Sequence, residues 1–402
     1  MHRSTAGLWA AFVVCCVSAA AQAQPSVALT MDVRHTATET WRVDYRFAQP
    51  VTAIQLDAVG DYRQQSWKIL TPGAQLIAGP DGDRIAAGGK PFTALSVEIA
   101  TFHGTTPKTY APFNRFSDGG TAVFLGHFQG DAERGKQTVS MHSRIRLKGL
   151  GHENVIAPPG NRLEPGGTRG YAYFGPAQAV QSGSTRLLLD PTTPDWVRDT
   201  LHDASGRLAQ YYAKAYQRPL KGQLDILLSI SGLEKPGLSM NGGAVLGQLA
   251  YRFEGKQLIG DHPKKRELLS RIVAHEMAHL WQLNVDRGGI GENDPWIHEG
   301  GAEAMALDAL LQTGLSSAEQ IAAYRAAQTA TCDKLDHAVT SYDGIYACGL
   351  VRFDQAGVAV VPLWLAMMRA SESSGAVYSE KMIAEITGGK GAQPGAPAPG
   401  TD

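Results

Sequence analysis

The feature that most constrains this chain is the sequence His-Glu-Met-Ala-His at residues 275–279. Four apolar residues between positions 268 and 273 recur at the spacing of one buried helix face. Two histidines four positions apart project from the same side of a helix, one turn apart. The pattern therefore predicts that His275 and His279 reach one metal ion, with Glu276 beside that ion rather than on it.

Residue chemistry at these positions favours zinc. Imidazole nitrogens bind Zn²⁺ at about 2.0–2.1 Å, and hydrolytic zinc sites use three protein ligands plus a water. Glu299 follows His279 in the next predicted helix and is the candidate third ligand. Glu276 is the candidate general base that takes a proton from the zinc-activated water. We expect one Zn²⁺ per chain; the structural alternative is a buried helix whose polar residues pair with one another.

A second acidic group follows in the segment Trp-Ile-His-Glu-Gly-Gly-Ala-Glu at residues 296–303. Glu303 lies one helical turn after Glu299. A carboxylate at this position is predicted to accept the second N–H of a ligand histidine and to fix the tautomer of that histidine. Glu303 is therefore expected to support the metal site without binding the ion.

These residues resemble the gluzincin metallopeptidases, in particular the aminopeptidase-N and leukotriene-hydrolase-like family. The resemblance covers roughly residues 225–360 and implies a thermolysin-like, mainly helical zinc-peptidase domain. The family places eighteen residues between HExxH and the glutamate of a W-L-N-E-G-F-A segment, whereas nineteen intervene here and His298 replaces the asparagine. His298 is therefore an alternative ligand, although the Glu-Gly context favours Glu299.

The resemblance also implies a tyrosine that stabilises the oxyanion of the tetrahedral intermediate. Tyr346 is the candidate, because Tyr-x-x-Gly followed by an apolar helix resembles the family pattern. A donor aimed at developing negative charge is worth a few kcal/mol in such sites. Tyr342 is the alternative candidate for this catalytic role. The structural alternative is that the tyrosine only packs at the start of a helix.

The amine-binding glutamate of the family has no match in this chain. The family's aminopeptidases carry it in a G-x-M-E-N strand, where it binds the free α-amine of the substrate. Residues 237–241 and residues 242–246 are the two registers for that strand, and neither contains a glutamate. Gly242, Gly243 and Ala244 remain candidate substrate-binding residues, because an edge strand can pair with the backbone of a peptide.

The kind of hydrolysis therefore stays open at this point. The resemblance implies aminopeptidase-like hydrolysis of a peptide or protein substrate. Glu254 or Glu292 could replace the missing amine anchor, but nothing in the sequence requires either. The alternatives are an endopeptidase, a non-peptide zinc hydrolase on the same fold, and a catalytically silent, zinc-bound peptide-binding protein. Free and N-blocked peptides would distinguish the first two kinds of peptidase.

The 402-residue chain is long enough for two domains, and its net charge of −1 gives no basic excess for nucleic acid. Residues 1–23 are predicted to be a secretory signal peptide, with about ten apolar residues and an Ala-x-Ala site for cleavage after Ala23. That apolar run is too short to span a bilayer. We expect a secreted or periplasmic protein without a membrane anchor after cleavage; the oligomeric state is not predicted.

Cleavage would leave two of the four cysteines, Cys332 and Cys348. An exported protein meets an oxidising compartment, where an even pair favours one disulfide. The bond would close a loop of about sixteen residues, which stabilises by roughly 3 kcal/mol in the chain-entropy model. Two free buried thiols are the alternative.

The expected fold class is α+β. Residues 24–189 are predicted to form an antiparallel β domain of sandwich or saddle type, because apolar residues alternate over 27–33 and 41–47 and turn residues are dense. The histidines of this part show no metal-ligand spacing. Thr193 is the predicted cap, and Pro194 the first residue, of a helix that runs to about residue 216.

Residues 190–387 are predicted to form the catalytic domain. Its later elements are expected to be strands at 223–231 and 244–253 and helices at 263–282, 297–311, 317–329 and 353–370. Residues 388–402 are rich in Gly, Pro and Ala, which is typical of a disordered tail.

Overall fold

The computed structural model describes residues 26–104, 106, 110–159, 164–165, 169–182, 185–220, 222–245 and 247–388. The predicted signal peptide and its cleavage site lie outside these residues, as does all of the predicted tail except Gly388.

Strands dominate the first part of the chain. Its elements are β1 (Ser26–Ala37), β2 (Thr40–Val51), β3 (Ala53–Leu56), α1 (Tyr62–Ser66), β4 (Trp67–Ile69), β5 (Gln75–Ile77), β6 (Arg84–Ala86), β7 (Phe92–Ala100), β8 (Phe113–Arg115), β9 (Thr121–Phe124), a 3₁₀ turn (Leu125–Phe128), β10 (Gly130–Arg134), β11 (Gln137–Lys148), β12 (Asn154–Ile156), β13 (Glu164–Pro165) and β14 (Tyr171–Gly175).

Helices dominate the second part, after a short run of strands. Its elements are β15 (Val180–Ser182), β16 (Thr185–Leu189), α2 (Asp195–Ala215), β17 (Leu224–Ser231), β18 (Ser239–Val245), β19 (Gln248–Glu254), a 3₁₀ turn (Lys256–Leu258), α3 (Pro263–Gln282), α4 (Pro295–Thr313), α5 (Ala318–Lys334), α6 (Tyr342–Gln355), α7 (Val360–Ser374) and α8 (Glu380–Ile386).

The strands of the first part form two sheets. The larger has the order β4-β7-β2-β1-β11-β10-β3-β6-β5, with β13 paired to β11, and the smaller has the order β12-β14-β9-β8. The prediction of an antiparallel domain is wrong at one central pair, because β1 and β11 run parallel from Ser26↔Ser140 to Arg34↔Lys148. About a hundred residues separate the two strands, so no tight turn sets their relative direction.

The predicted alternation of buried residues in β1 and β2 is confirmed. Val27, Leu29, Met31 and Val33 are buried at every second position of β1, and Trp41 is buried at the start of β2. Since successive side chains of a strand point to opposite faces, this period places one face of the large sheet in a core. The two-residue period therefore predicted the buried positions of these strands correctly, but it did not predict how the strands pair.

A third sheet belongs to the second part and has the order β15-β16-β17-β19-β18. β16, β17 and β19 run parallel, and β18 pairs antiparallel with β19 at the edge. The single strand predicted at 244–253 is wrong, because the chain turns between Val245 and Gln248. Gly247 permits this turn with a φ of +77°. The predicted division at residues 189 and 190 stays a prediction, although β15 and β16 already pair into this sheet.

The predicted bounds of the HExxH helix agree with α3. The single helix predicted at 353–370 is wrong, because α6 ends at Gln355 and α7 begins at Val360. Gly357, with a φ of +70°, lies in the break. In the part of the chain that the structure describes, no single helix is long and apolar enough to cross a membrane; α6 and α7 pass that test only as a pair bent by 99°.

The start of α2 differs from the prediction. Thr193 does not cap α2, because Pro194 occupies the N-cap position and the Thr193 hydroxyl donates to the Asp190 carbonyl at 2.6 Å.

Helices α4 and α6 cross where Gly300 faces Gly349, and a Cβ atom on Gly300 would collide with the backbone of Gly349. Two glycines thus permit the close approach that brings the start of α4 beside α6.

Candidate active site

Three predicted ligands come together between α3 and α4. The Nε2 atoms of His275 and His279 are 3.1 Å apart, and Glu299 Oε2 lies 3.2 Å from the first and 3.4 Å from the second. Ligand atoms at about 2.0–2.1 Å from a tetrahedral zinc ion stand about 3.3 Å from one another. Both the donor types and their mutual distances therefore fit a zinc ion.

The electrostatics of these three residues also suit a cation. Burial lowers the pKa of His275, but the adjacent carboxylates of Glu299 and Glu303 outweigh that effect and raise it to about 10. Burial raises the pKa of Glu299, but the two histidines reverse this and hold it well below its usual range. The carboxylates therefore stabilise positive charge at the point where the donors converge.

His275 and His279 each have a further contact at Nδ1, the ring nitrogen that faces away from the donor cluster. Glu303 Oε1 lies 3.1 Å from His275 Nδ1, the atom that faces away from the donor cluster. Gln282 Oε1 lies 2.7 Å from His279 Nδ1, and the Gln282 amide donates to the His298 carbonyl at 3.0 Å. Such contacts fix ring orientation and the tautomer that leaves Nε2 free for a metal.

The alternative metal ligand and the substitute amine anchors lie away from the donor cluster. His298 is buried, and its Nε2 faces the Gly291 carbonyl at 2.7 Å, outside the group formed by His275, His279 and Glu299. Glu254 accepts a hydrogen bond from Ser231 at 3.0 Å. Glu254 and Glu292 are not among the described residues that line the cleft at Glu276. The geometry thus groups the histidines with Glu299 and not with these three residues.

Glu276 faces the edge strand β18. A Cβ atom on Gly242 would stand 3.1 Å from Glu276 Cγ and 2.8 Å from the Tyr251 ring, so only glycine leaves room beside this carboxylate. Burial raises the pKa of Glu276, and His275 and His279 lower it without reversing the net upward shift. A carboxylate with a raised pKa is suited to take up and return a proton near neutral pH.

Tyr346 lies beside the donor cluster, and Tyr342 lies farther out. The Tyr346 ring stacks on His275 with centroids 5.6 Å apart. Burial and the Glu299 carboxylate raise the pKa of the Tyr346 hydroxyl, so it stays protonated as a donor. Tyr342 is 65% exposed, with its ring centroid 5.0 Å from that of Tyr346. Position therefore favours Tyr346 as the donor.

A cleft of about 510 Å³ opens beside Glu276. The strand β18 and the helices α3 to α6 line it. Its residues are Met240, Asn241, Gly242, Arg271, Ile272, His275, Glu276, Glu303, Tyr324, Gln328, Thr331, Tyr342, Asp343 and Tyr346. Of the three residues predicted to bind substrate, only Gly242 lines this cleft; Gly243 and Ala244 lie beside Tyr110.

Sequence reasoning missed four residues around the site. Gln282 could have been found, because it follows His279 by three positions on the same helix face. Arg271, one turn before His275, donates to the Tyr324 hydroxyl at 2.9 Å and lies 3.8 Å from Glu303. Tyr324 and Tyr110 belong to distant segments, and no local pattern connects them to the motif.

The predicted disulfide between Cys332 and Cys348 is confirmed, with Cα atoms 4.8 Å apart. It joins the end of α5 to the middle of α6. Both cysteines are buried in a small cluster with Ala347 and Val351. Thr331 directly precedes Cys332, Tyr346 lies two positions before Cys348, and both line the cleft, so the bond links two of its walls.

No protein-family model matches the chain, and no curated protein matches it by sequence. Solved structures do match. An aminopeptidase N family protein from Idiomarina loihiensis aligns with a TM-score of 0.60 at 10% identity, over 90% of this chain and 73% of that one. Yeast LTA4 hydrolase aligns with a TM-score of 0.55 at 11% identity, over 93% and 69%.

An M1 zinc metallopeptidase from Deinococcus radiodurans aligns with a TM-score of 0.51 at 13% identity, over 91% of both chains. At such low identities the likeness concerns the fold. The α+β architecture, with a sheet domain followed by a helical region, is common to these matches. This chain therefore has the fold of the aminopeptidase-N and leukotriene-hydrolase-like gluzincins.

Proposed function

We propose that the chain is an exported, zinc-dependent metallopeptidase with aminopeptidase-like activity. The observation that carries this proposal is the set of distances of 3.1, 3.2 and 3.4 Å among the donor atoms of His275, His279 and Glu299. One zinc ion per chain would be held by these residues, in a helical domain of thermolysin-like type. Export follows from the predicted signal peptide, and a peptide or protein is the proposed substrate.

The mechanism assigns one task to each residue. Zinc in such a donor set supplies Lewis acidity toward a water and a carbonyl oxygen. Glu276 takes the proton of the attacking water and delivers it to the leaving amine. The Tyr346 hydroxyl donates to the oxygen that becomes negative as the carbonyl is attacked. Glu303 and Gln282 hold His275 and His279 in orientation.

The decisive variant is Glu276→Gln, which keeps the size of the side chain and removes its basicity. We expect zinc content equal to that of the unchanged chain, with hydrolysis of a fluorogenic peptide library reduced by about 10²–10⁴-fold. Glu267→Gln is the matched control, because Glu267 lies on the same helix and its Oε2 accepts from Gln320 at 2.9 Å, outside the cleft.

Substantial hydrolysis by the Glu276→Gln variant would contradict the assignment of Glu276 as the general base. A zinc-loaded, unchanged chain that cleaves no peptide in the library would contradict peptidase function itself. Metal analysis of the His275→Ala variant tests the donor set separately, because a lost ligand should release zinc whether or not a substrate is known.

A further inference from the structure

We propose that the outer face of the large sheet is an electrostatic docking surface for the phosphate headgroups of an anionic phospholipid bilayer. This surface, the basic face, is formed where β11, β1 and β2 lie side by side. Its cations are Arg34, Arg42, Arg46, Arg144, Arg146 and Lys148. The role is independent of the peptidase function proposed above, because it concerns where the chain is held and not what it cleaves.

Strand register brings the cations of the basic face together. Arg34 of β1 lies opposite Lys148 of β11 and opposite Arg42 of β2, so three cations form one row across adjacent strands. A second row, four residues earlier along β1, consists of Arg144, Thr30 and Arg46. Because side chains of a strand alternate between its two faces, and the intervening residues Met31 and Val33 are buried in the core, both rows point to solvent.

Two carboxylates between the rows hold the arginines in place. Asp32 and Asp44 lie opposite each other on β1 and β2. Each accepts hydrogen bonds from two guanidinium groups, Asp44 from Arg34 and Arg42 and Asp32 from Arg46 and Arg146. The two aspartate side chains are 14% and 11% exposed, whereas those of the four arginines are 40% to 58% exposed. An approaching anion therefore meets guanidinium groups that are already ordered.

The basic face is positive although the chain is not. Six cations and two carboxylates leave a formal charge of +4 on these described residues, whereas the whole chain has a net charge of −1. Acidic neighbours on the flanking strands and in the β1–β2 turn have basic partners: Glu98 has Lys68, Glu133 has Arg84 and Glu39 has Arg115. Asp131 lies opposite Ser140, about 13 Å along β11 from Arg144.

The shape of the basic face favours a bilayer over a single extended polymer. Its cations stand about 4.8 Å apart across the strands and about 6.7 Å apart along β11, in a block as broad as it is long. Guanidinium groups bind phosphate oxygens in pairs of hydrogen bonds. Among the described residues, the outward positions of 28–34, 42–48 and 140–148 hold no apolar side chain larger than alanine. Attachment is therefore electrostatic, without insertion into the bilayer.

The basic face and the cleft lie on opposite sides of three packed sheets. The inner face of the large sheet shares a core with Val123 and Phe174 of the smaller sheet. The other face of the smaller sheet, through Phe124 and Tyr173, packs on Leu227 of the third sheet. The third sheet packs in turn against the helices that line the cleft. A chain held by its basic face therefore keeps the cleft open to solution.

The first experiment measures co-sedimentation of the chain with vesicles. Vesicles of equal parts phosphatidylglycerol and phosphatidylcholine should bind the unchanged chain about tenfold or more tightly than vesicles of phosphatidylcholine alone. Raising the NaCl concentration from about 0.1 M to about 1 M should release the bound chain, because the screening length falls from about 10 Å to about 3 Å. Equal binding of the two kinds of vesicle overturns the docking role.

The test variant is Arg144→Gln/Lys148→Gln, which removes two exposed charges and leaves the four arginines bound to the aspartates. Attraction to an anionic membrane is worth roughly a factor of five per cation, so affinity for the anionic vesicles should fall by about 25-fold. Arg369→Gln/Lys381→Gln is the matched control, because it removes the same two charges from exposed positions of α7 and α8. All three chains carry the same residues 1–23, so any membrane affinity of that segment cancels.

Equal affinity of the two double variants for anionic vesicles overturns the basic face as a docking surface. Retention on immobilised heparin without vesicle binding, lost only in Arg144→Gln/Lys148→Gln, would assign the face to a polyanionic chain and overturns the bilayer as its partner. Arg144→Thr/Lys148→Thr serves if the glutamine variant does not fold, because threonine is favoured in strands.

Hydrolysis of a soluble peptide tests the orientation of the bound chain. Its kcat should be the same with and without anionic vesicles, since the cleft faces away from the basic face. Loss of hydrolysis on vesicle binding would contradict this orientation. If the unchanged chain cleaves nothing, peptidase function fails while co-sedimentation still decides the role of the basic face.

Discussion

Gln282 Oε1 lies 2.7 Å from Nδ1 of His279, one helical turn beyond the HExxH motif. The Gln282 side chain is fully buried, and its Nε2 donates to the carbonyl of His298 in α4. One amide therefore orients His279, a proposed ligand, and connects the two helices that carry the proposed metal donors. The sequence motif ends at His279, but the structural unit that presents the proposed metal ligands includes Gln282.

Replacing Gln282 by Ala should weaken zinc binding by about 10–100-fold, because the His279 ring loses the partner that fixes its orientation. Competition with a chelating dye measures the affinity. The variant also leaves the His298 carbonyl without this donor, which costs about 1–3 kcal/mol of stability, so thermal melting is measured alongside. Unchanged zinc affinity in a folded Gln282→Ala protein would contradict the orienting role.

Tyr346→Phe should lower kcat by about 10²–10³-fold while changing KM little, because the lost donor acts in the transition state. The matched control is Tyr342→Phe, which removes the same hydroxyl from the exposed neighbour and should retain nearly full activity. Steady-state kinetics on a free-amine peptide gives both constants. The reverse order of effects would assign the oxyanion donor to Tyr342.

Loss of the disulfide should destabilise the cleft walls. The double variant Cys332→Ser/Cys348→Ser removes a bond across sixteen positions of the sequence, for an expected loss of about 3 kcal/mol in the free energy of unfolding. Because the bond links α5 to α6, we also expect lower kcat from a less rigid Tyr346. Denaturant titration and kinetics test the two effects, and full activity of the folded variant would show that the bond does not support this tyrosine.

His127 should make stability depend on pH. It is buried between the rings of Tyr62 and Phe124, and among the described residues neither of its ring nitrogens has a hydrogen-bond partner. Burial, and beyond it the charge of Arg63, lower the pKa of His127 to about 3. Its unfolded pKa is about 6.5, so below that pH the unfolded chain takes up a proton that the native state refuses.

The stability contributed by neutral His127 is therefore present above about pH 6.5 and declines as pH falls toward 3. Between pH 7 and pH 5, the unchanged chain should lose about 1–2 kcal/mol more than His127→Phe, which cannot titrate at this position. Urea unfolding of both proteins at each pH measures the difference, in which the groups common to both chains cancel. Parallel pH profiles would contradict a lowered pKa of His127 in the native state.

Local patterns predicted much of this protein. The i and i+4 spacing placed His275 and His279 on one helix face, and the bounds of α3 followed from the same period. Alternation predicted the buried residues of β1 and β2. Both periods are properties of a single element, so sequence alone carries them.

The sequence was a poorer guide to how the strands pair and where neighbouring elements separate. The parallel pairing of β1 with β11, the turn that separates β18 from β19, and the break between α6 and α7 depend on contacts made across the chain. Gly247 and Gly357 mark two of these sites, but a glycine within an apolar run does not by itself show where an element stops.

The sequence by itself determined the proposed metal-donor chemistry, because HExxH and the downstream Glu-Gly segment specify donor types at helical spacing. Only the tertiary structure decided which side chains meet them. It grouped Glu299 with the two histidines and turned His298 toward Gly291. It also placed Tyr110 at Ala244, across 134 positions of the sequence. The physical reason is that helical spacing orients residues within an element, whereas the packing of distant sheets and helices decides which elements share a cleft.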